Sequence, residues 1–147
     1  MRTITPITVI LLSVLAPIAV AQDSAGLPRT PAPPGAEVYI QTPANGAEVR
    51  SPVLVRFGLR GMGVAPATVT TANTGHHHLL IDVDTLPPDN LPLPSSDQVR
   101  HFGAGQTEAE IALPPGTHTL QLVLGDFQHV PHDPPVRSEK ITITVVE

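Results

Sequence analysis

The chain has no cysteine and no tryptophan, only three phenylalanines and one tyrosine, and just 14% charged residues in a length of 147. Without cysteine there can be no disulfide, no thiolate nucleophile and no thiolate metal site, so any metal chemistry falls to histidine, carboxylate and methionine. With so few aromatic rings, the core has to be built mainly from aliphatic side chains. Basic residues are also scarce: 8 Lys and Arg stand against 13 Asp and Glu, a formal charge of −5. That balance gives no electrostatic basis for holding nucleic acid or an anionic lipid surface. No apolar run after residue 21 is long enough to span a bilayer. What the chain does have in quantity is proline, 18 residues, and histidine, 7 residues.

The first residues predict export. Arg2 supplies a positive start, an apolar run covers 7–20, and Ala19-Val20-Ala21 before Gln22 is a small-x-small cleavage signature. Residues 1–21 are therefore expected to be a secretory signal peptide, and the mature protein to be periplasmic or secreted with no membrane insertion. Arg2 is the only charged residue lost with the leader, which takes the net charge from −5 to −6. Residues 22–36 carry Pro28, Pro31, Pro33 and Pro34 among small residues. They are expected to form an extended, solvated linker.

From Glu37 onward the apolar residues alternate with period two. Val38 and Ile40 precede the turn signal Pro43-Ala44-Asn45-Gly46, and Val53, Val55, Phe57 and Leu59 share a face of the next segment. His77, Leu79, Ile81 and Val83 share another, as do Thr107, Ala109, Ile111 and Leu113. After Pro114-Pro115-Gly116 come His118, Leu120, Leu122 and Leu124, and the chain closes on Ile141, Ile143 and Val145. Half-buried strands produce this pattern because successive side chains point to opposite sides of a sheet. Six clear strands, with a seventh allowed in the proline-rich stretch 86–100, predict an all-β antiparallel sandwich over 37–147.

Two stretches carry a family resemblance. One runs from Phe57-Gly58-Leu59-Arg60-Gly61-Met62-Gly63-Val64-Ala65-Pro66 into Asn73-Thr74-Gly75-His76-His77-His78-Leu79-Leu80-Ile81-Asp82. The other starts at His101-Phe102-Gly103-Ala104-Gly105-Gln106-Thr107-Glu108 and continues through Pro115-Gly116-Thr117-His118 to Gly125-Asp126 and His129-Val130-Pro131-His132. Together they resemble the bacterial exported domain-of-unknown-function family numbered 4399. The resemblance implies an envelope location and an immunoglobulin-like sandwich, and it brings no activity with it. The span 114–124 is also similar to the penultimate strand of many bacterial immunoglobulin-like modules, where a tyrosine often stands in the place of His118, which implies a structural role for that residue.

An immunoglobulin-like arrangement would bring loops 61–75, 101–106 and 125–137 to one end. His76, His78, His101, His129 and His132 would then converge on a common rim as candidate metal ligands. Strand parity puts His76 and His78 on one face and turns His77 toward the core. Met62 could add a thioether, which would favour copper over zinc, and Asp126 and Asp82 could orient imidazoles from behind. Binding is expected to weaken as the pH falls through the imidazole range near about 6.5, because a protonated ring cannot ligate. Catalysis is not expected: there is no nucleophile elbow and no HExxH helix, and Glu108, the nearest thing to a general base, points away from the core. The expected function is thus an exported, non-enzymatic module that binds copper or zinc. The alternative is a structural module that meets another envelope protein and whose histidines only brace the fold.

Overall fold

The structure, a computed structural model, describes residues 26–147, so the expected signal peptide and residues 22–25 lie outside the described residues. The six expected strands are present as β1 (Glu37–Thr42), β3 (Val53–Arg60), β5 (Thr74–Ile81), β7 (Glu108–Ile111), β8 (Gly116–Gly125) and β9 (Ile141–Val146). Three short ones join them: β2 (Glu48–Arg50), β4 (Gly63–Val64) and β6 (Val99–His101). There is no helix among the described residues. The smaller sheet runs β1-β3-β7, and the larger runs β2-β9-β8-β5-β4, with β6 also pairing to β5.

The two sheets close on the period-two faces. Val53, Val55 and Phe57 of β3 meet Leu120, Leu122 and Leu124 of β8, Leu79 and Ile81 of β5, and Ile143 and Val145 of β9 in one aliphatic core. Burying each such side chain is worth about 1.5–3 kcal/mol, which is how a chain without disulfides can hold a sandwich together. The result is a β-sandwich compatible with the immunoglobulin-like description.

Strand β5 departs from simple alternation, because all its residues from Gly75 to Ile81 are buried. One face, with His77, Leu79 and Ile81, lies in the core, where the His77 ring sits 5.2 Å from Phe57. The other face is roofed from outside. Leu93 and partly buried Leu86 fold back over Leu80 and Val123, forming a second small apolar cluster. The stretch 86–100 therefore supplies a strand only at its end, in β6. Pro87, Pro88, Pro92 and Pro94 lack the amide hydrogens a ladder needs, so the rest lies across the sheet as a cover.

The segment 26–36, within the expected solvated linker, is hydrogen-bonded to the domain. Ala32 N donates to Asp133 O at 2.8 Å, Asp133 N donates to Thr30 O at 2.9 Å, and Leu27 N donates to Asn90 O at 2.9 Å. It runs as a strap along the loop that follows β8.

Candidate metal centre

The site lies on the roofed outer face of the larger sheet, at the end where β5 starts. His76 and His78, two apart on β5, project on the same side. His101, the last residue of β6, is the register partner of His78. His129 comes from the loop after β8, whose final residue Gly125 is the register partner of His76. Two strands and one loop thus deliver four imidazoles to one point.

Their geometry could hold a metal ion. Each of the four residues offers a ring nitrogen, and these nitrogens all lie within 4.8 Å of one another. The six ring-centroid separations run from 4.6 Å (His101 to His129) to 5.8 Å (His78 to His129). A tetrahedral ion with metal–nitrogen bonds of about 2.0–2.1 Å would place imidazole centroids about 5 Å apart. His76 Nε2 stands 3.1 Å from His129 Nδ1.

Two glycines leave space for these rings. A Cβ on Gly125 would stand 2.6 Å from His78 Cε1, and one on Gly103 would stand 2.3 Å from His101 Cε1. His129 adopts φ 65, a left-handed backbone that side chains other than glycine rarely take, and its ring is aimed into the group from there.

Burial is graded across the group. His76 and His78 are each 1% exposed at its floor, His129 is half-buried, and His101 is open to solvent. The Nδ1 atoms of both His76 and His78 are buried with no hydrogen-bond partner. Burial, reinforced by the facing His101 and His129 rings, lowers the His76 pKa to about 4, with Asp126 pulling weakly the other way. Burial, then the neighbouring His76, His101 and His129 rings, lower His78 to about 2. His101 is lowered too, by burial and then by His129. All three rings are held in the neutral form that a metal requires.

The remaining histidines are built differently. His132, expected among the ligands, is outside the group of four. It is fully buried behind the group, its Nδ1 3.4 Å from Leu124 O and its Nε2 3.2 Å from Thr74 O. The chain after His129 turns inward at Val130, which is also fully buried, and carries His132 away from the expected cluster. His77 is a core residue whose two ring nitrogens both lack partners. His118, at the other end of β8, has Nδ1 2.7 Å from Asp82 Oδ2 and Nε2 2.9 Å from Pro114 O, a bracing role in keeping with the structural one expected for it.

Of the expected accessories, none touches the four rings by a hydrogen bond. Asp82 serves His118 and the Thr119 amide, and Glu108 pairs with Arg56 at 3.0 Å on the smaller sheet. Met62 packs against the main core. Asp126 holds main-chain amides instead of an imidazole: its Oδ1 accepts from Gln128 N at 2.8 Å and Val130 N at 3.0 Å. It was the spacing of the histidines that identified candidates, but the role of Asp126 in shaping the His129 turn shows only in three dimensions.

The far-end pair provides a control. The hydrogen bond to Asp82 raises the His118 pKa against the effect of burial. Burial pushes the Asp82 carboxyl up, but His118 and the Thr119 amide outweigh it and hold it below the usual range. Asp82→Asn should lower thermal stability by about 1 kcal/mol, discounted because Asp82 is partly solvated, and should leave metal affinity unchanged. Calorimetric melting and a metal titration of the same variant check both halves.

No curated protein and no solved structure shows a significant match to the chain. A family model does match, over residues 55–146, a span that contains all four clustered histidines. This chain belongs to that family, described as a domain of unknown function (DUF4399).

Proposed function

We propose that this protein is an exported, non-catalytic envelope module that binds one transition-metal ion through His76, His78, His101 and His129. The observation that carries the reading is the closure of four imidazoles around a single point at tetrahedral spacing. An internal contrast supports it. His118 and His132, which brace the fold, have protein oxygens near both ring nitrogens, whereas the floor rings His76 and His78 each keep a buried Nδ1 without any partner. An unpartnered nitrogen alone does not mark a ligand, since core His77 has two, but only His76 and His78 combine it with convergence on His101 and His129.

The geometry also bears on the metal. In a square-planar site two opposite centroid pairs would be markedly longer than the other four, yet here opposite pairs measure 4.7 and 4.6 Å, 5.0 and 5.2 Å, and 4.9 and 5.8 Å. A tetrahedral set suits an ion with no geometric preference of its own, zinc(II) or copper(I), over copper(II) or nickel(II). The thioether that would have favoured copper is packed against the core, and an all-nitrogen donor set supports testing zinc first. Four protein ligands fill the shell and leave no open position for substrate, which is why we read binding and not catalysis. The open side at His101 suits an ion that is taken up and handed on at the surface.

The test uses protein produced with its leader, purified after export and without a histidine tag. Titration calorimetry should show one zinc per chain with a dissociation constant of about 0.1 µM or tighter. Cobalt(II) in the same site should give the intense visible absorption of tetrahedral coordination. His101→Ala should weaken binding about 100-fold, roughly one ligand's share of a four-histidine site. Absence of saturable binding at neutral pH would leave the alternative, a scaffold that meets another envelope protein.

A further inference from the structure

The turn that carries His129 is fixed from outside the family-matched domain. Asp126 is 1% exposed although it lies in a loop. Its Oδ1 accepts the Gln128 and Val130 amides, its carbonyl accepts His129 N at 2.9 Å, and its own amide donates to Val130 O at 3.0 Å. These four bonds close the turn around His129, whose left-handed backbone would otherwise relax. The second carboxylate oxygen, Oδ2, accepts the hydroxyl of Thr30 at 2.6 Å.

Thr30 is itself held in place. Arg29 donates from Nε to Pro131 O at 3.2 Å, from Nη2 to His132 O, and from Nη1 to Asp133 Oδ1 at 3.1 Å. Pro31 bridges to Asp133, whose amide and carbonyl bond Thr30 O and Ala32 N. Residues 29–32 therefore run beside 126–133 and grip it at both ends.

We infer that Thr30 and Asp126 are positioning residues of the metal centre, and that docking of the strap around Arg29 and Thr30 and binding of the ion strengthen each other. The inference rests on the metal reading given above. The physical route is short. Thr30 fixes the Asp126 carboxylate, the carboxylate fixes the turn, and the turn fixes the direction of the His129 ring. An ion bound to His129 favours the closed turn, and by reciprocity it favours the docked strap by the same factor. In this way the segment between the expected leader and the sandwich would report whether the site is loaded: tight when zinc is bound, looser when it is not.

The Arg29-Thr30 bond is a trypsin site, so the coupling can be read directly on the full exported chain. With zinc bound, cleavage after Arg29 should slow about tenfold relative to chelator-treated protein, while cleavage after Arg60, at the end of β3, changes little. Thr30→Ala should weaken zinc binding about fivefold and remove most of that protection, and Thr30→Ser, which keeps the hydroxyl, should restore both. A role in the fold alone would lower the melting temperature of Thr30→Ala without altering zinc affinity. That result, or cleavage after Arg29 that ignores zinc in protein shown by calorimetry to bind it, overturns the coupling and leaves the metal centre standing. Failure of the unsubstituted protein to bind zinc at all overturns the metal reading and the coupling with it.

Discussion

Replacing His78 with leucine should make the metal-free protein more stable and at the same time abolish metal binding. His78 is 1% exposed, its Nδ1 has no partner, and burial drives its pKa down to about 2. A buried polar atom left unsatisfied costs about 1–3 kcal/mol, and a volume-conserving apolar replacement loses about 1 kcal/mol through imperfect packing, so a net gain of about 1 kcal/mol is expected. That is a rise of about 4 °C in melting temperature for a domain of this size. The same change takes away a ligand from the floor of the site, so zinc affinity should fall by at least about 100-fold. The opposed signs are informative. A residue retained for architecture loses stability when it is replaced, as His118→Leu should, since it would strand the Asp82 carboxylate and Pro114 O. A residue retained for binding is one the apo fold would be better without. Thermal melting of His78→Leu and of the unsubstituted protein, each with zinc and with chelator, decides the matter, and an equal loss of stability in both conditions would assign His78 to the scaffold.

Much of the fold was legible because side-chain direction in a strand has a period of two. That rule placed β1, β3, β5, β7, β8 and β9, and within β5 it separated His77, which packs on Phe57, from His76 and His78 on the outer face. The short strands were not legible, because two or three residues such as Gly63–Val64 or Glu48–Arg50 are too few to display any period. Nor was the roof, where Leu86 and Leu93 lie among prolines that look like a plain loop.

At the site, four of the five expected ligands meet, because three of them sit on or beside paired strands and strand pairing follows from the fold. The fate of His132 depended on the direction of the turn after His129, which is set by Asp126 and a left-handed backbone, and spacing alone carries no such information. The strap was hidden by composition. A proline-rich segment reads as solvated, yet proline leaves its carbonyls free, and Arg29 and Thr30 supplied the polar contacts that docked it.

Acid should unfold the metal-free protein near pH 4–5, and zinc should move that midpoint down. Burial lowers the pKa of His76 and of His77 to about 4 and of His78 to about 2, against about 6.5 in the unfolded chain. Because the folded-state values are depressed, the native form binds fewer protons than the unfolded one. The stability is fully present above about pH 6.5 and is lost as the pH falls toward the folded values. Each ring contributes a slope of up to about 1.4 kcal/mol per pH unit, so the three together approach about 4 kcal/mol per unit below about pH 6. Set against a stability of about 5–8 kcal/mol, the lower part of the usual range, that slope places the transition within about two units of its onset. His118 has the opposite sign, since its raised pKa gives stability below about 6.5 that fades as the pH rises through the folded value, but one ring cannot offset three. Zinc at 1,000 times its dissociation constant adds about 4 kcal/mol, which at this slope is worth about one pH unit. Binding itself should hold to lower pH than free imidazole would allow, because in the folded protein these rings are already unprotonated at pH 5–6. Circular dichroism followed from pH 7 to 3, with zinc and with chelator, measures both midpoints. A metal-free protein that stays folded at pH 3.5, or a midpoint indifferent to zinc, would show that the three buried rings are protonated without cost and would remove the electrostatic basis assigned to the site.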